Sequence, residues 1–206
     1  MPASALAGLP VSDRLRQQIG FIVEIDKLKQ VHRQTLLMDG SRAETGAEHS
    51  WHLAVMVLLL AEHAAAPDLD IGKVIRLVLV HDLVEIDAGD ALPYDAAAMR
   101  GQAERERAAA DRLFALLPAD QASMFRALWK EFEAGATPEA AFALAIDRLQ
   151  PLLHNHRTGG AKWRELGVTA DQVRRRQAAI EAGSPALFAL AVDLIDDAVA
   201  LGFLPR

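Results

Sequence analysis

The chain has 206 residues, of which 51 % are hydrophobic and 5 % aromatic, and its formal net charge is −6 at pH 7. The length suits one compact domain, expected over residues 1–206. The acidic balance argues against DNA or RNA as a partner, because duplex binding needs a basic surface, while a small anion can still be drawn to a local cation. The chain has no cysteine, so disulfides and thiolate metal sites are excluded and any metal must be held by His, Asp or Glu.

Residues 1–10 lack the basic start of a secretory leader, and the longest apolar run, residues 53–61, is far below the roughly 20 residues that cross a bilayer. The expectation is a soluble cytoplasmic protein with no membrane partner. Ala and Leu dominate the apolar residues, and both favour helix. Residues 11–31 carry Leu15, Ile19, Ile22, Val23 and Leu28 close to helical spacing. A polar, turn-rich stretch follows at 38–46. Thr45 and Glu48 have the spacing of a capping box, and the helix they open, to about residue 66, is apolar on nearly every face, as in a buried central helix.

Pro67 and Asp68 end that helix, and Asp70 can cap the next. Ile71, Val74, Ile75, Val78 and Leu79 form a helical stripe running to about Ala88, with Gly89 as its stop. A loop is expected at 90–95, then a long helix at 96–117 and another at 120–133. Thr137, Pro138 and Glu139 read as a cap, a first-turn proline and a first-turn acid. Their helix is expected to reach about residue 156, with a kink near Pro151, whose ring would clash with the carbonyl of Asp147. Two further helices are expected at 169–181 and 184–201. No segment alternates long enough to predict a strand, so the fold class is all-α.

Ionisable residues in apolar helices carry the chemistry. His81 and Asp82 sit at the end of the apolar stripe, Glu85 lies one turn on, and Asp90 follows just past the helix end. Four such groups on a helix built for burial need partners or a cation. His49 lies in the first turn of the central helix, where the helix dipole favours the neutral imidazole that binds metal; His52 competes with it. Asp147 borders the apolar stripe of its own helix, where pairing with Arg148 is the plainer reading. His154 and His156 read as structural or exposed, residues 174–176 (three arginines) as a solvated face, and Trp51, Trp129 and Trp163 as core or interface. Lys27 and Lys29 could add positive charge near a phosphate.

The order His49, His81-Asp82, Asp147 resembles the H…HD…D pattern of the HD-domain metal-dependent phosphohydrolases. Arg42, Glu44, Glu48, His49 and Ser50 resemble the R-x-E-x-x-x-E-H-S string of the 5′-deoxynucleotidase branch, and His81, Asp82, Glu85, Gly89 and Asp90 its H-D-x-x-E-x-x-x-G-D string. The resemblance covers about residues 15–160 and implies a compact helical bundle. It implies His49, His81, Asp82 and Asp147 as ligands of one divalent cation, and Glu85 as the group that orients or deprotonates the attacking water. It also implies Asp90 at the sugar, Arg33 as phosphate clamp, a small nucleotide substrate and a homodimer.

Gln34 stands where the deoxynucleotidases typically carry a tryptophan tied to sugar selection, so Gln34 falls in the substrate-binding set as a departure from the pattern. Two imidazoles and two carboxylates favour Mn²⁺, Co²⁺, Fe²⁺ or Ni²⁺, with Mg²⁺ and Zn²⁺ as further possibilities. The activity so implied is release of phosphate from (deoxy)nucleoside 5′-monophosphates. Alarmones, cyclic nucleotides and nucleoside triphosphates are alternative substrates, and a metal-stabilised binding module is the non-catalytic alternative.

Overall fold

The computed structural model describes residues 11–91, 94 and 99–206. Within them the chain is helical, as expected, apart from one short sheet that the sequence reading did not anticipate. Helix α1 (Asp13–Ile25) is capped by Ser12, whose hydroxyl accepts from Leu15 N, and continues into a 3₁₀ turn at Asp26–Gln30. Strands β1 (His32–Leu36) and β2 (Ala43–Thr45) pair antiparallel, with His32 opposite Thr45 and Leu36 opposite Ala43. Their residues are mostly polar, so no apolar alternation marked them. The turn-rich stretch is the connection between them, closed by Leu37 N donating to Arg42 O.

Helix α2 (Gly46–Leu60) starts with the expected capping box: Thr45 Oγ1 accepts from Glu48 N, and the Glu48 carboxylate accepts from Thr45 N. Helix α3 (Ile71–Val80) is capped by Asp70. It stops earlier than expected: His81–Val84 tighten into a 3₁₀ turn before a single turn of helix, α4 (Glu85–Ala88). The expected helix at 96–117 begins at Gln102; α5 runs Gln102–Phe114, and residues 96–98 lie outside the described ones, as do Pro93 and Asp95 of the expected loop. Helix α6 (Ala119–Ala134) and helix α7 (Pro138–Arg157) follow, the latter opened by Thr137 and Pro138 and carrying Pro151 within it. The C-terminal part divides into α8 (Ala161–Glu165), α9 (Ala170–Gln177), α10 (Ile180–Gly183) and α11 (Pro185–Ala200), more pieces than the two helices expected.

Helix α7 runs through the middle, against α2, α3, α6, α10 and α11. It buries Phe142, Ile146, Leu149 and Leu152, each contributing roughly 1.5–3 kcal/mol by removal from water. Gly183 lets α10 press onto α7, since a Cβ there would stand 2.2 Å from the carbonyl oxygen of Ala141. Two apolar clusters share the interior. One joins α2, α3, α7 and the C-terminal helices; the other gathers Phe21, Leu113, Phe114 and Trp129 from α1, α5 and α6. Val74, Leu77 and Val78 belong to the first cluster, and Val80, Leu83 and Val84 to the second. His81 and Asp82 therefore lie at the seam where the chain passes from one core to the other.

Candidate metal centre and cleft

Three elements bring the histidines and aspartates together. The capped start of α2 supplies His49, the 3₁₀ turn after α3 supplies His81 and Asp82, and the middle of α7 supplies Asp147. One ligand atom from each of His49, His81 and Asp147 falls within 4.8 Å of the others. His49 Nε2 lies 3.1 Å from Asp147 Oδ1 and 3.8 Å from Asp82 Oδ2, while His81 Nε2 lies 2.9 Å from Asp82 Oδ1 and 3.7 Å from Asp147 Oδ1. The 3₁₀ turn lets neighbours His81 and Asp82 both reach this point.

Local bonding sets the state of each ring. His81 Nδ1 stands 2.9 Å from the carbonyl of Val78; it must donate there, which turns Nε2 toward the carboxylates. That buried Nε2 has no hydrogen-bond partner of good geometry. His49 Nδ1 faces Glu44 Oε2 at 3.5 Å, also without a well-formed hydrogen bond. Burial alone would lower the His81 pKa, but Asp82 and Asp147 outweigh it and push the imidazole up to about 10. Burial likewise opposes ionisation of Asp82 and Asp147. His81 and Arg33 overcome it for Asp82, and the His49 hydrogen bond together with the nearby charges of Arg148 and His81 does so for Asp147, holding both carboxyls below their usual range. The cluster thus concentrates negative charge and answers it with a proton. An orphaned ring nitrogen amid two carboxylates, with mixed N and O donors in reach, is a donor set that fits a divalent cation in place of that proton.

Glu85 lies beside this cluster, with Oε2 buried and unpartnered. Burial, reinforced by the charges of Asp82 and Asp90, drives its carboxyl well above the usual range. Asp90 is raised too, mainly by burial, and accepts a 3.1 Å hydrogen bond from the backbone N–H of Gln34. Gly89 makes that placement possible, since its φ of 74° and ψ of 154° lie in a region used essentially by glycine. Arg33, on β1, donates from Nη1 to Asp82 Oδ2 at 2.7 Å, while its buried Nε, 3.7 Å from Glu44 Oε2, has no hydrogen-bond partner.

The cluster opens on a cleft whose empty space, open solvent included, is about 1070 Å³. Its lining includes the polar residues Arg33, Gln34, Glu85 and Asp90 and the apolar residues Phe132, Leu152 and Trp163. Arg148 and Arg176 also line it. Arg176 corrects the reading of residues 174–176 as a solvated face: it is half-buried, and burial followed by the nearby charge of Arg148 pushes its pKa down to about 10. Arg174 keeps to the surface, 2.7 Å from Asp196.

His52 does not join the first cluster. With Glu44 and His154 it forms a second group of close ligand atoms, around the fully buried amide of Gln150. His154 is buried as a structural residue, whereas His156 pairs with Asp197 at 2.7 Å. Trp129 and Trp163 are core residues, and Trp51 is exposed. Lys27 and Lys29 pair with Glu24 and Asp26. The sequence reading assigned no part to Glu44 or Gln150; the only signal was the glutamate in the first string.

A helical protein whose far-separated His and Asp side chains converge beside an open cleft is the class this fold and site define. The chain belongs to the HD-domain family, whose pattern matches residues 25–188. It is similar to a crystal structure of a "predicted metal-dependent phosphohydrolase" from Magnetospirillum magnetotacticum MS-1, with 54 % identity, coverage of 94 % of this chain and 96 % of that one, and a TM-score of 0.90. Among curated proteins it is similar to 5′-deoxynucleotidase HDDC2 of Xenopus laevis, 30 % identical over 66 % of this chain and 63 % of that protein. The same protein of Homo sapiens is 29 % identical over 67 % of this chain and 66 % of that one. The chain thus spans just under two thirds of the length of these curated relatives.

Proposed function

We propose that the protein is a metal-dependent phosphohydrolase that releases phosphate from nucleoside 5′-monophosphates, with His49, His81, Asp82 and Asp147 holding one divalent cation. The observation that carries this reading is the convergence of His49, His81 and Asp147 within 4.8 Å, with Asp82 2.9 Å from His81, at the floor of a cleft. The names of the similar proteins point the same way. The mixed imidazole and carboxylate donors favour Mn²⁺, Co²⁺, Fe²⁺ or Ni²⁺ over Mg²⁺. Such a cation, when bound, lowers the pKa of a water and offsets negative charge on phosphate.

The chain's own groups do the rest. Glu85 takes the proton of the attacking water at Oε2, and the raised basicity of its buried carboxylate makes it a stronger acceptor than an exposed glutamate. Asp90, fixed by the Gln34 N–H, accepts from a sugar hydroxyl. Phe132, Leu152 and Trp163 offer the base an apolar wall. A nucleotide substrate is compatible with the cytoplasm, and no helix among the described residues is long and apolar enough to cross a membrane. Trp51, Leu58 and Leu59, exposed at helical spacing on α2, support a homodimer, which light scattering would test.

The decisive experiment measures phosphate release by protein loaded with Mn²⁺ or Co²⁺ across paired ribo- and deoxyribonucleotides, because Gln34 replaces the tryptophan of the deoxynucleotidase pattern. Release from 5′-monophosphates is expected. Folded, metal-loaded protein that releases none from any nucleotide would sink the reading.

A further inference from the structure

The cleft carries more positive charge than one phosphate beside a cation needs. Arg33, whose buried Nε has no hydrogen-bond partner, is the residue that the resemblance gives to the phosphate at the cation. Two further arginines, Arg148 of α7 and Arg176 of α9, also line the cleft and are half-buried. Burial, followed by the nearby charge of Arg148, lowers the Arg176 pKa. Among the described residues neither has a carboxylate within ion-pair distance, whereas Arg174, in the same run, lies 2.7 Å from Asp196 and 3.6 Å from Asp171. Asp147, the acid whose charge reaches Arg176, is committed to the cation cluster.

Two observations separate these arginines from the cation and give them company. A more open recess, with Met99, Gln172 and Arg175, shares Tyr94, Arg148 and Arg176 with the cleft. Consecutive helix residues diverge by about 100°, so Asp147 can serve the cluster while Arg148 serves the recess. Gln177, the last residue of α9, lines the cleft at 4 % exposure, and its buried Oε1 has no hydrogen-bond partner.

Two like charges held together in a partly dry site are unfavourable unless an anion joins them. The guanidinium fork matches the oxygens of phosphate, and two guanidinium cations balance a phosphate dianion. A buried acceptor is costly until an N–H or O–H meets it. A bare anion answers only the arginines, whereas a phosphorylated nucleoside also brings hydroxyl or base N–H donors to Gln177.

We propose that Arg148 and Arg176 form a second phosphate subsite, with Gln177 holding the nucleoside beside it, so that the preferred substrate is a nucleotide carrying another phosphate besides the one released. The proposal rests on the phosphohydrolase reading only for the word released. Hydrolysis forms a P–O bond from water and breaks the P–O bond to the leaving oxygen, which takes up a proton; the second phosphate stays on the product.

The test uses the full chain loaded with Mn²⁺ and matched purine and pyrimidine nucleoside 5′-monophosphates, 5′-diphosphates and 3′,5′-bisphosphates. Affinity is read by calorimetry on Glu85→Gln, so that the ligand is not consumed, and kcat/KM on the active chain. In both, one doubly phosphorylated series should exceed the monophosphates by about tenfold or more, the span of a charge-assisted contact. An advantage for bisphosphates puts the second phosphate across the sugar from the first, and an advantage for diphosphates puts it alongside. Arg148→Met and Arg176→Met should each bring the ratio of doubly to singly phosphorylated ligand toward one, whereas Arg174→Met, at the surface, should keep it. Gln177→Leu should weaken all three series by a similar factor, and unchanged binding would remove Gln177 from the subsite.

Equal affinity for singly and doubly phosphorylated ligands, a ratio kept by both methionine variants, or no nucleotide binding at all would overturn the subsite. An arginine-dependent ratio in binding, with no phosphate released from any series, would keep the subsite and remove the hydrolase reading. Release from monophosphates with equal affinity across the series would do the reverse.

Discussion

Two buried polar clusters lie side by side in this protein, and both have the residue types and spacing to hold a metal: His49, His81 and Asp147 in one, Glu44, His52 and His154 in the other. They differ in what stands at the centre and in access. In the first, ring nitrogens and carboxylates face one another with His81 Nε2 unpartnered, beside an open cleft. In the second, the Gln150 amide nitrogen already fills the middle, 2.6 Å from Glu44 Oε1, 2.9 Å from His154 Nε2 and 3.3 Å from His52 Nδ1. His154 Nδ1 is tied to the Leu36 carbonyl at 2.8 Å, so this cluster joins β1, α2 and α7. Ligand types at ligand distances do not suffice for a cation site; a centre not already taken by an amide donor, and an entrance, distinguish one cluster from the other.

Removing metal with a chelator should break this comparison most visibly. Turnover is expected to fall to background and return on adding Mn²⁺ or Co²⁺, and metal analysis of Asp147→Ala should show the ion lost, while His52→Ala keeps it. Metal retained by Asp147→Ala but lost by His52→Ala would exchange the roles of the two clusters. Glu85→Gln comes next: kcat should drop by about 10²–10⁴-fold, the span of general-base catalysis, with metal content and melting temperature near wild type.

Glu44 belongs to both regions, and Glu44→Gln should weaken metal binding by about 10–100-fold, the usual cost of losing a carboxylate behind a ligating histidine. A metal titration checks this. Gln150→Leu should act on stability instead. It leaves buried acceptors unmet at about 1–3 kcal/mol, a fall of roughly 2–4 °C in Tm per kcal/mol for a chain of this size, with metal affinity far less affected. The smallest effect is expected at the surface. Arg14 holds the Asp120 carboxyl down to about 2, so their pair supports the fold above the ordinary carboxylate pKa and is lost as pH falls toward 2. Because both side chains are more than half exposed, Asp120→Asn should leave the melting curve at neutral pH almost unchanged.

Much of the frame was legible in the sequence because it is written in local chemistry. Thr45 with Glu48, Asp70, and Thr137 with Pro138 each cap the helix they were expected to cap. The juxtaposition of His49, His81, Asp82 and Asp147 followed from ionisable residues at odds with apolar helices, read together with the resemblance. Features that depend on tertiary contact were hidden. Strand β1 carries Arg33 and Gln34, which reveal no buried face until α7 and the cleft are present. The 3₁₀ turn at His81 breaks a stripe whose periodicity gave no warning. Arg176 sat in a basic triplet that any solvated helix could carry, and only the packing of α9 turns it inward. Gln150 looked like one more polar residue on α7.

The contact at Gly183 gives the motif-free end of the chain a part to play. Jammed against the carbonyl of Ala141, α10 leaves no room for a methyl group, and the neighbouring α9, with Arg176 and Gln177, borders the cleft. A chain cut after residue 160 would keep every metal-ligand candidate and lose a wall of the chamber they face. The last quarter of the sequence acts as masonry: it names no chemistry, yet sets how large a guest the chemistry can receive.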